Sequence, residues 1–352
     1  MPNTKPTSSL RSRPTKPTVE RSVKNVVLGN ILFKTWFHSL YPEDLVSNGC
    51  ERLYICRWCF RYSSDLDAYA GHTHVCDFKT DPPGTKVYEY EGYTVREVDG
   101  EEYKLFAQNL SLFAKLFLDH KSVFFDVSSF LYYILSYTNP QDPTDYHVLG
   151  YFSKEKLSWD ANNLACILIF PPYQHKQLGK LLMGISYKLS GWEWEGGVIG
   201  GPEKPLSEMG KRSYVRFWEE RIARYFLLGP PGGGDQPATS PQNPGKSAKK
   251  RPAREKMTVR EIGQATGMLV EDVITALKGM GILETENSGK SLKQDSPLWD
   301  GDTLTAEPAI IRKESVLEWV KIHRVDSRDP VREEGFLGEW AADADSNGDE
   351  ES

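Results

Sequence analysis

No stretch of this 352-residue sequence supplies the roughly 20 consecutive apolar residues that a membrane-spanning helix requires. The N-terminal segment MPNTKPTSSLRSRPTKPT also lacks the apolar centre of a secretory signal. Both absences predict a soluble intracellular protein with no membrane partner. Cysteine is scarce: there are five, one inside an apolar run and three in a metal-like spacing. That is no disulfide framework, and it points to a reducing compartment. A strong net charge is lacking as well. The formal charge is -6, but residues 333–352 hold eight acids and no Lys or Arg, leaving 43 basic against 41 acidic groups elsewhere. The result is a nearly balanced body and an acidic tail, with no dominant basic surface of the kind that drives nucleic-acid binding.

What is present is enough apolar material, 39% of residues with 12% aromatic, for one large domain with appendages or for two domains. Residues 1–25 are rich in Pro, Ser, Thr, Lys and Arg, which predicts a disordered basic N-terminus. Ordered sequence is expected from Val26 to Leu228. Gly, Pro and Ser then dominate 229–256, a flexible linker whose basic end (Lys246, Lys249, Lys250, Arg251, Arg254, Lys256) fits either a nuclear import signal or a solubilising spacer. From Met257 order resumes. Thr258 and Glu261 make a capping box at the start of a short helix, and Thr266-Gly267 breaks it. Val270, Val273, Ile274, Leu277 and Met280 recur at helical spacing up to Gly281. This is a helix-turn-helix pattern spanning 257–340. Its second helix carries Glu271 and Asp272 with only Lys278 as a cation, which favours packing on the main domain over sequence-specific DNA binding. Residues 341–352 form an acidic tail expected to be disordered.

Cys56 and Cys59 form a CxxC knuckle, followed by His72 and Cys76 in a C-x2-C-x12-H-x3-C spacing. A tight turn supplies two zinc ligands, and the pair four residues apart falls on one face of a helix, completing a tetrahedron. His74 is a competing ligand, but its one-residue gap to Cys76 is poor for joint chelation from a helix. With all four positions filled by protein, the zinc is structural, and a metallohydrolase is excluded.

Leu164 to Phe170 is an unbroken apolar run between Asn162-Asn163 and Pro171-Pro172, which predicts a central strand buried on both faces. Gln174, His175, Lys176, Gln177, Leu178, Gly179 and Lys180 follow, leading into a helix with Leu178, Leu181, Leu182, Ile185 and Leu189 on one side. A strand, a polar turn and a helix N-terminus make an anion site, because free N–H groups and the helix dipole both favour a phosphate. The loop Gly200 to Gly210 then places Glu203 ahead of a further helix, where a carboxylate can serve as general base.

Several longer runs resemble the MYST family of lysine acetyltransferases. They are Gln108 to Lys121, Gly150 to Lys156, the strand around Cys166, and Pro202 to Ser207. The resemblance covers roughly residues 28–228 and, more loosely, 257–340. It implies an α+β fold: an acetyl-CoA-dependent N-acetyltransferase core over 86–228, preceded by a zinc-finger region over 26–85 and followed by the helix-turn-helix-like part. It implies transfer of acetyl from acetyl-CoA to histone tails in the nucleus. By position, Glu203 matches the general base and Cys166 the active-site cysteine. Lys121 matches the lysine that becomes autoacetylated. Ile167, Leu168, Ile169, the turn from Gln174 to Lys180, and Ser207 match the acetyl-CoA contacts. The sequence departs from the family where Gln177 stands in place of the first glycine of the usual Q-x-x-G-x-G turn, so a side chain must clear the phosphates there. Gly201 replaces the usual serine before Pro202, and the segment from Gly191 to Val198 is longer and more aromatic than typical. With no chromodomain-like segment ahead of the finger, the sequence is most similar to the fungal silencing branch, which implies action on histone 4 within a multisubunit complex. Two other classes are compatible with parts of the sequence: a catalytically weak chromatin-binding scaffold, which Gln177 favours, and a DNA-binding regulator, which the charge pattern disfavours.

Overall fold

Side-chain alternation decides which surfaces meet. The computed structural model describes residues 22–160, 162–193, 200–229, 254–284 and 309–341. Residues 1–21 of the expected disordered N-terminus, almost all of the linker and nearly all of the acidic tail lie outside these residues. At the N-terminal end, β1 (Val23–Leu28), β2 (Ile31–Lys34), β3 (Cys50–Ile55) and β4 (Tyr62–Ser63) form a sheet in the order β2-β1-β3-β4. The first strand thus begins three residues before the predicted start of order. Helix α1 (Leu66–His74) follows, with the Asp65 carboxylate accepting from the N–H groups of Asp67 and Ala68 at its start.

The central sheet contains β5 (Thr85–Tyr90) and β6 (Tyr93–Asp99), then, after helix α2 (Lys104–Lys115), β7 (Phe130–Asn139) and β8 (Asp142–Glu155). β9 (Asn162–Leu164) and β10 (Cys166–Ile169) come next, and the order is β10-β8-β7-β6-β5, antiparallel throughout. Successive residues of β7 serve opposite faces, as the period of two requires. Tyr132 and Ile134 join the core shared with α2 and the zinc finger, whereas Tyr133 and Leu135 join the core on the other side. Cross-strand rings reinforce both: Tyr133 stacks on Phe152 at 4.4 Å, and Tyr132 on Tyr151 at 6.0 Å.

The apolar run from Leu164 to Phe170 is not one central strand. Ala165 divides it. β9 leaves the main sheet to pair in parallel with β11 (Gly201–Pro202), while β10 stays as the edge strand beside β8. Cys166, Ile167 and Ile169 are accordingly only half-buried. The apolar pattern reports burial but not what covers it, and here helix α3 (Leu178–Glu193) covers part of the strand. Leu178, Leu181, Leu182, Ile185 and Leu189 are all buried, as their spacing predicts. Helix α4 (Glu208–Leu228) packs beside α3.

The C-terminal part consists of β12 (Arg254–Met257), α5 (Val259–Thr266), α6 (Val270–Met280), β13 (Leu283–Glu284), β14 (Ala309–Arg312) and α7 (Lys313–His323), with strand order β12-β14-β13. The capping box forms as predicted: Glu261 N–H donates to Thr258 Oγ1, and Thr258 N–H to the Glu261 carboxylate. Gly267 and Gly281 end α5 and α6 in the left-handed conformation. Val273, Ala276 and Leu277 bury α6 in the same core as Trp218 and Ile222 of α4. Three arginines of α4 reach carbonyl groups of this part: Arg221 to Thr266 at 2.6 Å, Arg216 to His323 at 2.8 Å and Arg224 to Asp326 at 3.2 Å. Beyond α7, Leu337 N–H donates to Val87 O at 3.0 Å and Phe336 packs on Tyr88, covering the β5 edge of the sheet. Among the described residues no helix is long and apolar enough to cross a membrane.

Candidate active site and zinc centre

The CxxC turn is closed by two main-chain hydrogen bonds, Cys56 N–H to Arg61 O at 2.8 Å and Phe60 N–H to Cys56 O at 3.0 Å. His72 arrives from the last turn of α1. Cys76 does not share that helix, in contrast to the expectation from spacing. The helix ends at His74, Val75 leaves helical geometry while donating its N–H to His72 O, and the chain swings Cys76 back to Cys56. The donor atoms of Cys56, Cys59, His72 and Cys76 lie within 4.8 Å of one another, and His74 is not in this group. Cys56 Sγ and Cys76 Sγ are 3.8 Å apart. Two sulfurs at about 2.3 Å from one tetrahedral Zn²⁺ would be separated by about 3.8 Å. Three thiol groups and one imidazole around one centre fit structural zinc, and no position is left open for chemistry.

Phe60 links the finger to the end of β10. Phe60 has a φ of 61°, a left-handed conformation that bulky residues rarely adopt. Its ring is wholly buried, 5.6 Å from Phe113 and 5.7 Å from Phe170, which directly follows β10. Burial of an aromatic ring, on the order of 2–3 kcal/mol, offsets a backbone strain of about 1–2 kcal/mol.

At the far end of β10 the turn adopts the geometry of an anion nest. His175 and Gln177 have φ values of 65° and 63°. Alternating left-handed residues turn successive N–H groups to one side. The N–H groups of the five residues from His175 to Gly179 find no acceptor among the described residues. They run into the N-terminus of α3, where the helix dipole adds to them. The Gln174 amide donates to Ile169 O at 2.9 Å and ties the turn to β10. His175, Lys176 and Gln177 project outward, and the space beside Gly179 is open. Gln177 thus holds a glycine-like conformation with its side chain exposed.

Lys180 closes the turn. Its ammonium turns inward to Glu220 of α4, at 2.7 and 2.8 Å from the two carboxylate oxygens, and its N–H donates to Gln177 O. Glu220 is 3% exposed and also accepts from Arg216 and Arg224. Lys180 is therefore a tether between the turn and α4. Ser207 is likewise a cap: its hydroxyl oxygen accepts from Gly210 N–H at the start of α4.

Glu203 stands at the opposite end of the β9–β10 segment. Its N–H donates to Leu164 O at 2.9 Å, so the loop after β11 is bonded beside the split strand. On the other side, β8 runs past its last pair with β10, Cys166 opposite Ser153, to end at Glu155, close enough to Glu203 to act on it through its charge. Partial burial and then the negative charge of Glu155 raise Glu203 above the ordinary carboxylate range. Cys166 lies half-buried two residues from Leu164. Lys121 is 7% exposed and close enough to Cys166 and Lys115 to feel both. Burial lowers the Lys121 pKa, the thiol opposes that, and Lys115 reinforces it, so its amine loses its proton more readily than an ordinary lysine. Lys115 is structural, donating to the carbonyls of Leu118 and Asp119 beyond α2.

Glu155, Glu220 and the Lys204–Asp272 contact described below were not singled out from the sequence. Only Glu220 carried a local signal, since Arg216 and Arg224 flank it at helical spacing.

Residues 81–305 match the MOZ/SAS family, and residues 20–76 match the MYST family zinc finger domain, which includes all four zinc ligands. The chain belongs to the MOZ/SAS family of MYST proteins. It is 35% identical over 288 residues to the histone acetyltransferase SAS2 of Saccharomyces cerevisiae, covering 76% of this chain and 77% of that protein. It is 38% identical over 262 residues to the histone acetyltransferase MOF of Drosophila melanogaster, covering 74% of this chain and 28% of the relative. The Tip60 homolog of Caenorhabditis elegans is 36% identical over 262 residues, with 74% of this chain and 51% of that relative covered. The chain thus spans about half of the worm protein and little more than a quarter of the fly protein.

Proposed function

We propose that the protein is a histone lysine acetyltransferase that moves the acetyl group of acetyl-CoA to a lysine of a histone tail. The acceptor we assign is the histone 4 tail in nucleosomes. The setting we assign is the nucleus, within a multiprotein complex that acts in chromatin silencing or transcription regulation. One observation supports this most: the segment built on the edge strand β10 leads at one end into the run of unpaired N–H groups from His175 to Gly179, and at the other its Leu164 carbonyl holds the Glu203 main chain. A diphosphate and a reacting amine thereby have separate, suited places at the two ends of one segment.

Acetyl-CoA supplies an acetyl group already activated as a thioester. The residues that would hold it are Ile167, Leu168 and Ile169 along the open edge of β10, Ser207, and the turn from Gln174 to Lys180, whose free N–H groups from His175 to Gly179 are offered to the diphosphate. Main-chain donors on the open edge are the groups available to polarise the thioester carbonyl. A lysine side chain has a pKa of about 10.4 and is almost wholly protonated at neutral pH, so a base must remove its proton before it attacks. Glu203 takes that proton, and its raised pKa makes it a stronger base than an ordinary glutamate. Cys166 borders the same place. Lys121, buried beside it with a weakened hold on its proton, is the lysine positioned for autoacetylation.

The test is incubation of recombinant nucleosomes with labelled acetyl-CoA, read by mass spectrometry. Wild type is expected to acetylate histone 4, and Glu203→Gln to lower the rate by about 10²–10⁴-fold. A dominant product on another histone would overturn the histone 4 assignment. No transfer by the protein together with its partner subunits would leave a chromatin-binding scaffold in place of an enzyme.

A further inference from the structure

The loop that carries Glu203 is held on two sides, and only one of them is the acetyltransferase core. On the core side, β11 pairs with β9 and Glu203 N–H donates to Leu164 O. On the other side stands the turn of the helix-turn-helix. Gly200 forms a parallel bridge with Met268, inside the turn between α5 and α6. Gly201 lies directly against the first turn of α6, where a Cβ would come within 2.8 Å of Leu269 Cδ1 and 3.1 Å of Asp272 Oδ2. Lys204, the residue after Glu203, then places its ammonium between the carboxylates of Glu271 and Asp272, 2.7 Å from Asp272 Oδ1.

Asp272 is a costly residue to place there. It is 2% exposed, and its Oδ2 has no hydrogen-bond partner among the described residues. A buried carboxylate with one oxygen unpaired is destabilising unless its remaining partner is firmly held. The helix it opens packs its apolar face on α4, and Arg221 of α4 fixes the preceding turn through Thr266 O. The anchor for Lys204 is therefore rigid on its far side.

We propose that the helix-turn-helix is the second wall of the active site, and that Asp272, through Lys204, is a positioning residue that fixes the Glu203 loop for proton abstraction. This deepens the acetyltransferase reading and rests on it for the role of Glu203. The contact also accounts for the two acids at the start of α6, Glu271 and Asp272, where a groove-reading helix would present cations. Lys204→Arg keeps the ion pair, whereas Lys204→Met and Asp272→Asn remove it.

The experiment uses the full zinc-loaded chain and reads hydrogen exchange and steady-state kinetics together. In Lys204→Met and in Asp272→Asn, amides 201–207 are expected to exchange at least about tenfold faster, with α3 and α4 protected as in wild type. Turnover should fall by a similar factor while KM for acetyl-CoA stays unchanged, because the cofactor turn is untouched. Lys204→Arg should restore both readouts. The double variant should be no worse than Lys204→Met, which by itself takes the ammonium away from both Glu271 and Asp272. Unchanged exchange across 201–207, or additive losses in the double variant, would overturn the proposal. If wild type itself transferred no acetyl group, the acetyltransferase reading would fall, and the exchange measurement alone would still decide whether the clamp exists.

Discussion

A glutamate deprotonates a lysine more effectively at neutral pH when its own basicity has been lifted, and Glu203 has two causes for that. Partial burial is the larger, and Glu155 on the neighbouring strand adds a like charge. The active form is the carboxylate, so kcat/KM should rise as pH increases through the raised Glu203 pKa and fall away below it. Glu155→Gln removes the like charge, lowers the Glu203 pKa and moves the acid limb of the profile to lower pH. A limb that stays put or moves upward would show that Glu155 does not reach Glu203. At this scale the sequence was informative where chemistry is local. Cys56, Cys59, His72 and Cys76 were legible from spacing, and the oddity of Gln177 was legible as a side chain in a place suited to glycine. Its φ of 63° bears that out. Glu155 and Asp272 were not legible, because they meet the Glu203 loop only after strands and helices far apart in sequence have packed.

At the scale of elements, the zinc finger and β10 are mechanically joined. Phe60 inserts from the knuckle between Phe106, Phe113 and Phe170, so the far end of β10 rests on a turn that the metal closes. Structural zinc contributes about 10–16 kcal/mol to folding in isolated fingers, far more than this small unit can replace from its own core. Stripping the metal with a strong chelator should therefore unfold the finger and loosen β10, seen as a large drop in melting temperature and weaker acetyl-CoA binding. An unchanged melting temperature would mean that the finger stands without metal. The helices were the most legible elements: the faces of α3 and α6 and the capping box of α5 follow directly from periodicity and residue type. The split strand was the least legible. Leu164 to Phe170 reads as a continuous buried run, yet Ala165 sends the two halves to different sheets. Nothing in the run itself says that one side is left for a ligand.

Across the whole molecule, the two faces of one antiparallel sheet are covered by different parts of the chain. The finger and α2 take one face; α3, α4 and the C-terminal part take the other. α4 is the shared beam. Its Glu220 holds Lys180 behind the cofactor turn, and its Arg216, Arg221 and Arg224 hold the helix-turn-helix and the segment after α7. The C-terminal part therefore packs into the same body as the central sheet. Its packing on the core was legible in the acids at the start of α6, but not the residue it holds there. The central claim is that one open strand edge binds acetyl-CoA while a separate carboxylate removes the proton from the acceptor. Calorimetric titration of acetyl-CoA into zinc-loaded wild type and Glu203→Gln, with partner subunits present, tests it most directly. The expected result is one site of equal affinity in both proteins, with transfer only in wild type. No measurable binding to wild type would contradict it.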